Sequence, residues 1–346
     1  MTKFLAPLAL LVLSAPALAA DPAPSPALAP SEIVAAAPKA EWVAIAPPDL
    51  LVMDLAPPAR GPGQASAKAK PRRVVIQLMP PPFSQGWIGN IRKLAAAHWW
   101  DGLSVNRVQD NYVVQWGDAD GEDKAKARAL PGGLESIGET RYEVTTQGSV
   151  GVALARKLKS EEHKLQAAFR KPTGEQKVRS ISRAIPRDPY SDETLNFSGW
   201  PIAVDQETQT AWPVHCYGMV GVGRDLPPNT GSGAELYTVI GHAPRHLDRN
   251  MAVVGRVIEG IEHLSSLPRG TGALGFYETP EERTTILSIR LGTEVAALPA
   301  YEYLSTESET FARYADARAN RRDPFFINPA GGADICNIPV PVRRAK

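Results

Sequence analysis

The stretch HWWDGLSVNRVQDNYVVQWGD, residues 98–118, decides how the rest of the chain is interpreted. Two short apolar runs, 103–108 and 112–116, flank the polar residues 109–111, and this pattern predicts a β-hairpin. Arg107 does not fit such a strand, because moving an unpaired cation out of water costs several kcal/mol. Arg107 therefore either faces water or has a function.

The spacing within the hairpin predicts which side chains surround Arg107. Arg107 and Gln115 each lie four residues from Asn111, so a hairpin centred there sets them across from each other on one face. Val105 and Val113 are expected on the same face. An arginine beside a carboxamide and among apolar side chains makes a binding site with one fixed cationic donor. The alternative is an ordinary surface arginine.

Length and composition limit the classes of protein to consider. A chain of 346 residues with 43% hydrophobic content can bury a sizeable core, in one large domain or two smaller ones. The 32 prolines and 28 glycines indicate linkers and many turns rather than long helices. The formal net charge of +1 argues against nucleic acid as the main partner, since phosphate binding needs an excess of Lys and Arg.

The N-terminus has the pattern of a secretory signal peptide, 1–19, in which a lysine precedes the apolar run 4–13 and the cleavage sequence ALA at 17–19. That run is too short to span a bilayer, and no later segment has the length of a transmembrane helix. We therefore expect a protein without a transmembrane segment, secreted across the inner membrane into a bacterial periplasm. Residues 20–71 are rich in Ala and Pro and predict an extended leader, of which 40–55 docks onto the domain.

Ordered structure is expected to begin with the strand 72–79, followed by a helix in 86–100. Further strand-like segments lie at 215–222, 234–241, 250–260 and 284–292. Many short strands with few helices favour a β-barrel or a β-sandwich. A long, partly helical stretch of mixed character, which we call the insertion, lies between these strands, within about 119–214. A C-terminal extension, 293–346, carries one capped helix.

The insertion combines a predicted helix, 152–169, with a basic segment, 156–187, that holds ten Lys or Arg against three Glu. Two interpretations stay open for the basic segment. It makes a weak contact with an anionic surface or an acidic partner, or it is a solvated loop that its lysines keep soluble.

The sequence lacks the common motifs of covalent and metal-dependent enzymes. There is no G-x-S-x-G and no H-E-x-x-H, and the histidines show no spacing typical of a triad or a metal site. No Lys-Ser or Lys-Thr follows the glycines of 218–233, so a phosphate-binding loop is not indicated. Cys216 and Cys336 either pair in an oxidising compartment or are two separate buried thiols.

Residues 99–118 resemble the signature of cyclophilin-type peptidyl-prolyl isomerases, in which YDG and FHRV precede a short turn and FMIQGGD. Two later blocks continue the resemblance in the right order. GMVGVGRDLPPNTGSGAELYTVIG, 218–241, is similar to the family's G-x-M-A-N and NTNGSQFFI, and APRHLDRNMAVVGRVIEGIEHL, 243–264, is similar to P-x-LDGKHVVFGKV. The resemblance covers roughly 72–292, interrupted by the insertion within about 119–214. It implies that 72–292 is one mainly β domain, a closed antiparallel β-barrel capped by two helices.

The resemblance also implies roles for individual residues. Arg107 falls on the family's catalytic arginine and Gln115 on the glutamine that orients it. The apolar pocket for the substrate's proline ring falls on Tyr112, Val113, Tyr237 and Leu247. Several groove positions differ from the family pattern: Asn106 stands for a His, Glu235 for a Gln, Gly221 for an Asn, His246 for a Trp and Met251 for a His. These differences leave the arginine and the pocket but reduce the contacts to a peptide backbone.

The activity implied by the resemblance is cis-trans isomerisation of X-Pro bonds in proline-containing polypeptides, which assists their folding. The reaction needs no cofactor, because it breaks no covalent bond. Two other functions stay open. One is a catalytically weak peptide-binding module or chaperone, which the altered groove favours. The other is an envelope-associated structural protein that works through the basic segment.

Overall fold

The computed structural model describes residues 27–57, 72–148, 151–153, 156 and 188–345. Its centre is a closed barrel of eight antiparallel strands. These strands are β2 (Leu50–Leu55), β3 (Arg72–Leu78), β4 (Ser104–Val108), β5 (Val113–Gly117), β10 (Met219–Val222), β11 (Leu236–Val239), β12 (Val253–Glu259) and β13 (Thr284–Leu291). Their order around the barrel is β10-β11-β5-β4-β13-β2-β3-β12. The predicted fold class, mainly β with a closed antiparallel barrel, is confirmed.

Two helices lie against the barrel. Helix α2 (Gln85–Ala96) packs on β12 and β13, and it buries an apolar stripe with helical spacing that includes Trp87, Ile91 and Leu94. Helix α3 (Glu262–Ser265) is a single turn that contacts β3. The side chains of α2 and those inside the barrel belong to one apolar core.

Strand β2 shows that ordered structure begins before residue 72, contrary to the expectation from the sequence. Leu51 and Met53 point into the barrel core, whereas Leu50 and Val52 pack against the C-terminal extension. A strand that buries both faces has no alternation of apolar and polar residues, so its sequence does not show the usual strand pattern. The predicted docking of 40–55 therefore takes the form of a barrel strand rather than a packed leader.

A second, smaller sheet joins the segment before the barrel to the C-terminal extension. It consists of β1 (Trp42–Ile45), β14 (Tyr301–Leu304) and β15 (Val342–Arg344), with β14 in the middle. Helix α1 (Pro30–Ala35) packs against helix α4 (Glu309–Ala319) beside this sheet. The predicted capped helix of the extension is α4, and its N-cap Ser308 accepts a hydrogen bond from the Phe311 N–H at 3.0 Å.

A disulfide fastens the extension to the barrel. Cys216, just before β10, is bonded to Cys336, with 5.1 Å between their Cα atoms. Of the two states that the sequence left open for these cysteines, the structure has the paired one.

The described part of the insertion forms a four-stranded sheet. Its strands, in spatial order, are β6 (Val144–Thr145), β9 (Thr210–Pro213), β8 (Trp200–Asp205) and β7 (Glu193–Phe197). Trp200, Ile202 and Trp212 of this sheet share the apolar core of the barrel.

Three predictions fall wholly or almost wholly outside the described residues. They are the signal peptide 1–19, the helix 152–169 and the basic segment 156–187 with its contact to an anionic surface. Every helix among the described residues is too short or too polar to cross a bilayer.

Candidate active site

The hairpin of β4 and β5 places Arg107 opposite Gln115, as the spacing about Asn111 predicts. A β-bulge between Val105 and Arg107 changes which face the earlier residues occupy. Val105 pairs with Trp116 and points into the barrel core, whereas Arg107 lies on the outer face. The predicted position of Val105 beside Arg107 is therefore wrong, because a bulge adds one residue and inverts the alternation of faces.

Hydrogen bonds hold the Arg107 guanidinium in one orientation. Its Nε donates to the Leu274 carbonyl at 2.7 Å, Nη1 donates to Gln115 Oε1 at 3.4 Å, and Nη2 donates to Gln109 Oε1. These acceptors come from strand β5, from the residue that follows β4 and from a loop distant in sequence. The strand fixes the backbone of Arg107, and the three acceptors fix its planar head group.

Two aromatic rings flank the same guanidinium. Its Cζ lies 5.6 Å from the ring centroid of Tyr112 and 5.3 Å from that of Phe276. Burial lowers the pKa of Arg107, an effect that Tyr112 partly offsets. Arginine starts from so high a pKa that it keeps its charge, so the site presents a half-buried cation between two rings.

Next to Arg107, apolar residues form a patch on the outer face of β5 and β11, which we call the pocket cluster. Its members are Tyr112, Val113, Tyr237, Val239, Leu247 and Met251. The strand register causes this grouping, because Gln115 pairs with Tyr237 and Val113 pairs with Val239. All four residues that the resemblance assigned to a proline pocket are therefore neighbours, beside the predicted arginine.

Glu235 lies on the polar side of the site, next to Gln115. Its Oε1 accepts the Asp118 N–H at 2.7 Å. Burial raises the pKa of Glu235 to about 7, against the lowering effect of hydrogen bonds from the Asp118 N–H and the Gln115 side chain. Gln115 thus lies between a fixed cation and a carboxyl group that titrates near neutral pH.

The other predicted groove residues differ in how they meet the pocket cluster. His246 is exposed and nearly parallel to the Tyr112 ring, with 6.2 Å between ring centroids. Gly221 is buried against Tyr237, and an added Cβ there would lie 2.3 Å from the tyrosine hydroxyl. Asn106 is buried as well and accepts a hydrogen bond from Ser104 Oγ at 2.6 Å.

Sequence reasoning missed two contacts of the arginine, Leu274 and Phe276. Both belong to a loop between α3 and β13, and a backbone bridge joins Phe276 to Arg107. Loop residues carry no periodic pattern that would place them in a site. The sequence shows only a phenylalanine among the glycines of GTGALGF, 270–276, which the structure leaves exposed.

Comparison with known proteins points to one family. A curated relative, peptidyl-prolyl cis-trans isomerase CYP23 of Arabidopsis thaliana, is 41% identical over 75 residues, which are 21% of this chain and 32% of the relative. The match thus spans about a third of that relative's length. The crystal structure of cyclophilin AquaCyp293 from Hirschia baltica superimposes with a TM-score of 0.55, over 88% of this chain and 94% of that one. At 18% sequence identity this likeness shows the fold alone.

The family model described as cyclophilin type peptidyl-prolyl cis-trans isomerase/CLD matches residues 86–291, more than half of the chain. The matched range contains the hairpin with Arg107, the pocket cluster and six of the eight barrel strands. The chain therefore belongs to the cyclophilin-type peptidyl-prolyl cis-trans isomerase family.

Proposed function

We propose that this protein catalyses the cis-trans isomerisation of X-Pro peptide bonds, with Arg107 as its catalytic residue and Gln115 as a positioning residue. The observation that supports this most is the position of a restrained guanidinium at the edge of the pocket cluster. An apolar surface suits a proline ring, and a fixed cation suits the polar amide attached to it.

The chemistry of the amide explains why a cation is useful. An X-Pro bond rotates slowly, in tens to hundreds of seconds, because resonance gives it partial double-bond character. In the twisted transition state this resonance is lost, and the prolyl nitrogen regains a lone pair. A donor aimed at that nitrogen stabilises the twisted form more than either planar form, which lowers the barrier.

Different residues of the site have different roles in this reaction. The pocket cluster holds the proline ring, so that rotation occurs on the acyl side of the bond. Arginine has five N–H donors, and three of those on Arg107 are directed to protein acceptors, which leaves two for a substrate. Gln115 holds the guanidinium from the neighbouring strand, so little reorganisation is needed when the transition state forms.

We also propose a periplasmic location and a role in folding proline-containing proteins there. The N-terminal sequence supports export, and the bond between Cys216 and Cys336 suits an oxidising compartment. Fractionation of a bacterial host that expresses the full chain tests the location. We expect a shortened protein in the periplasmic fraction, and full-length protein confined to the cytoplasm would contradict the proposal.

Exchange spectroscopy by NMR on a short X-Pro peptide tests the activity. Catalytic amounts of the full chain should accelerate exchange between the cis and trans signals, and heat-unfolded protein is the control. Binding of the peptide without accelerated exchange would overturn the proposed activity and favour a peptide-binding module.

A further inference from the structure

A buried histidine lies directly behind the pocket cluster, and the mechanism above does not use it. His215 is 0% exposed, and both of its ring nitrogens have partners. Nε2 lies 2.8 Å from the Tyr237 hydroxyl, and Nδ1 lies 2.9 Å from Asp248 Oδ1. The His215 and Tyr237 rings are nearly parallel, with an interplanar angle of 8°. The imidazole thus connects two different segments of the chain.

Asp248 ties His215 to the turn that forms the wall of the pocket. Its Oδ1 also accepts the His215 backbone N–H at 3.0 Å, and its Oδ2 accepts Arg245 Nε at 2.6 Å. Arg245 is buried and makes a further ion pair with Asp188, at 2.5 Å. The turn Arg245–Leu247 begins at this arginine and ends at Leu247, a member of the pocket cluster.

We propose that His215 is a positioning residue that holds the floor of the proline pocket, Tyr237, at a set distance from its wall, Leu247. This inference rests on the proposed function and adds a specificity to it. A pocket of fixed width selects the five-membered ring of proline over larger cyclic imino acids. Packing alone is non-directional, whereas two hydrogen bonds from one rigid imidazole fix both segments in direction as well as distance.

The surroundings of the Tyr237 hydroxyl indicate a built site. A Cβ at Gly221 would lie 2.3 Å from that oxygen, so the residue beneath the hydroxyl has to be glycine. Burial raises the pKa of Tyr237 well above its ordinary value, and the hydroxyl therefore keeps its proton. Burial alone would raise the pKa of Asp248, but the hydrogen bond from His215 and the charge of Arg245 lower it.

The ionised Asp248 only accepts hydrogen bonds, so Nδ1–H of His215 donates to it. The Tyr237 hydroxyl, which can donate or accept, shares a hydrogen bond with Nε2. Tyr237→Phe would keep the aromatic ring that forms the floor of the pocket but remove the hydrogen bond to His215. That substitution separates the positioning role from the apolar contact itself.

Two matched substitutions test the inference in the full chain. Tyr237→Phe removes the hydroxyl, and His215→Asn keeps an N–H donor toward Asp248 while removing Nε2. Binding of two peptides is measured by calorimetry, one with proline and one with the six-membered pipecolic acid in its place. Wild type should prefer proline. The preference is the ratio of the two dissociation constants. In each variant this ratio should fall about 3- to 10-fold, the range expected for one buried hydrogen bond.

The double variant should lose no more than either single one, because both changes break the same bond. His263→Asn, a half-exposed histidine outside the pocket cluster, is the control and should leave the preference unchanged. If His215→Asn fails to fold, Tyr237→Phe decides alone.

The inference is wrong if the folded variants keep the wild-type preference or if the losses add up in the double variant. Equal binding of both peptides by wild type would also overturn it. The failure of the proposed function looks different, since a wild type that binds with a preference for proline but does not accelerate exchange contradicts the activity and leaves the role of His215 intact.

Discussion

Replacing Glu235 with glutamine should change how the stability of this protein depends on pH. Glu235 accepts the Asp118 N–H beside Gln115, and burial raises its pKa from 4.5 to about 7. Above neutral pH the folded protein therefore holds a partly buried carboxylate, whereas in the unfolded chain the same group is fully hydrated. Glutamine has nearly the same shape and cannot ionise.

The size of the effect follows from the two pKa values. Between pH 4.5 and about 7 the folded state holds this proton more tightly than the unfolded state does, so the free energy of unfolding falls as the pH rises. The contribution of Glu235 is fully present below pH 4.5 and is lost as the pH passes about 7. The gap of about 2.5 between the values corresponds to about 3 kcal/mol, at about 1.4 kcal/mol per pH unit.

Urea unfolding of wild type and Glu235→Gln at about pH 5 and about pH 8 measures this difference. The free energy of unfolding of the variant, relative to that of wild type, should rise by about 2 to 3 kcal/mol from the lower to the higher pH. Comparing the proteins pairwise cancels the titration of every other group. Glu281→Gln, at an exposed position, is the control and should show no such gain. A difference that stays constant with pH, or a variant that loses stability at the higher pH, would refute the reasoning.

Three further predictions concern stability. Deleting residues 157–187 should preserve a cooperative transition in calorimetry, because loop closure changes by only about 0.6 kcal/mol per doubling of length; a lost transition would contradict this. Replacing Cys216 and Cys336 with serine should lower the free energy of unfolding in urea by about 4 to 5 kcal/mol, since the bond closes 120 residues; two free thiols in unreduced protein would rule the bond out. Gln77→Ala should cost about 1.5 to 3 kcal/mol in urea unfolding, because Gln77 accepts two hydrogen bonds from a buried arginine; an unchanged midpoint would count against it.

The hairpin shows what spacing in a sequence can predict. The pairing of Arg107 with Gln115 follows from counting residues on either side of the turn, and the structure has that register. The bulge beside Val105 could not be predicted, because periodicity assumes that faces alternate without interruption. Hairpin pairing is local, whereas Val105 at the bulge also pairs with Thr284 of β13, which is distant in sequence.

Contacts between distant segments account for most of what the sequence did not show. Leu274 and Phe276 reach Arg107 from 167 and 169 positions further along the chain, and no periodic pattern marks them. The hydrogen bond between His215 and Tyr237 forms only because strand β11 and the segment before β10 meet behind the pocket. A buried histidine is indistinguishable in sequence from an exposed one, since its role depends on partners that only the fold supplies.

Turnover of an X-Pro peptide by Arg107→Ala, compared with wild type, tests the central claim most directly. The substitution removes a charge-assisted hydrogen bond made mainly in the transition state, worth about 1.5 to 3 kcal/mol. The rate should therefore fall about 10- to 100-fold, with an unchanged circular dichroism spectrum, because water can reach the half-buried Gln115. Arg107→Lys should restore little, since an ammonium lacks the planar fork, and Arg322→Ala, in an exposed ion pair with Asp316, should turn over at the wild-type rate. Equal rates for wild type and a folded Arg107→Ala would contradict the account.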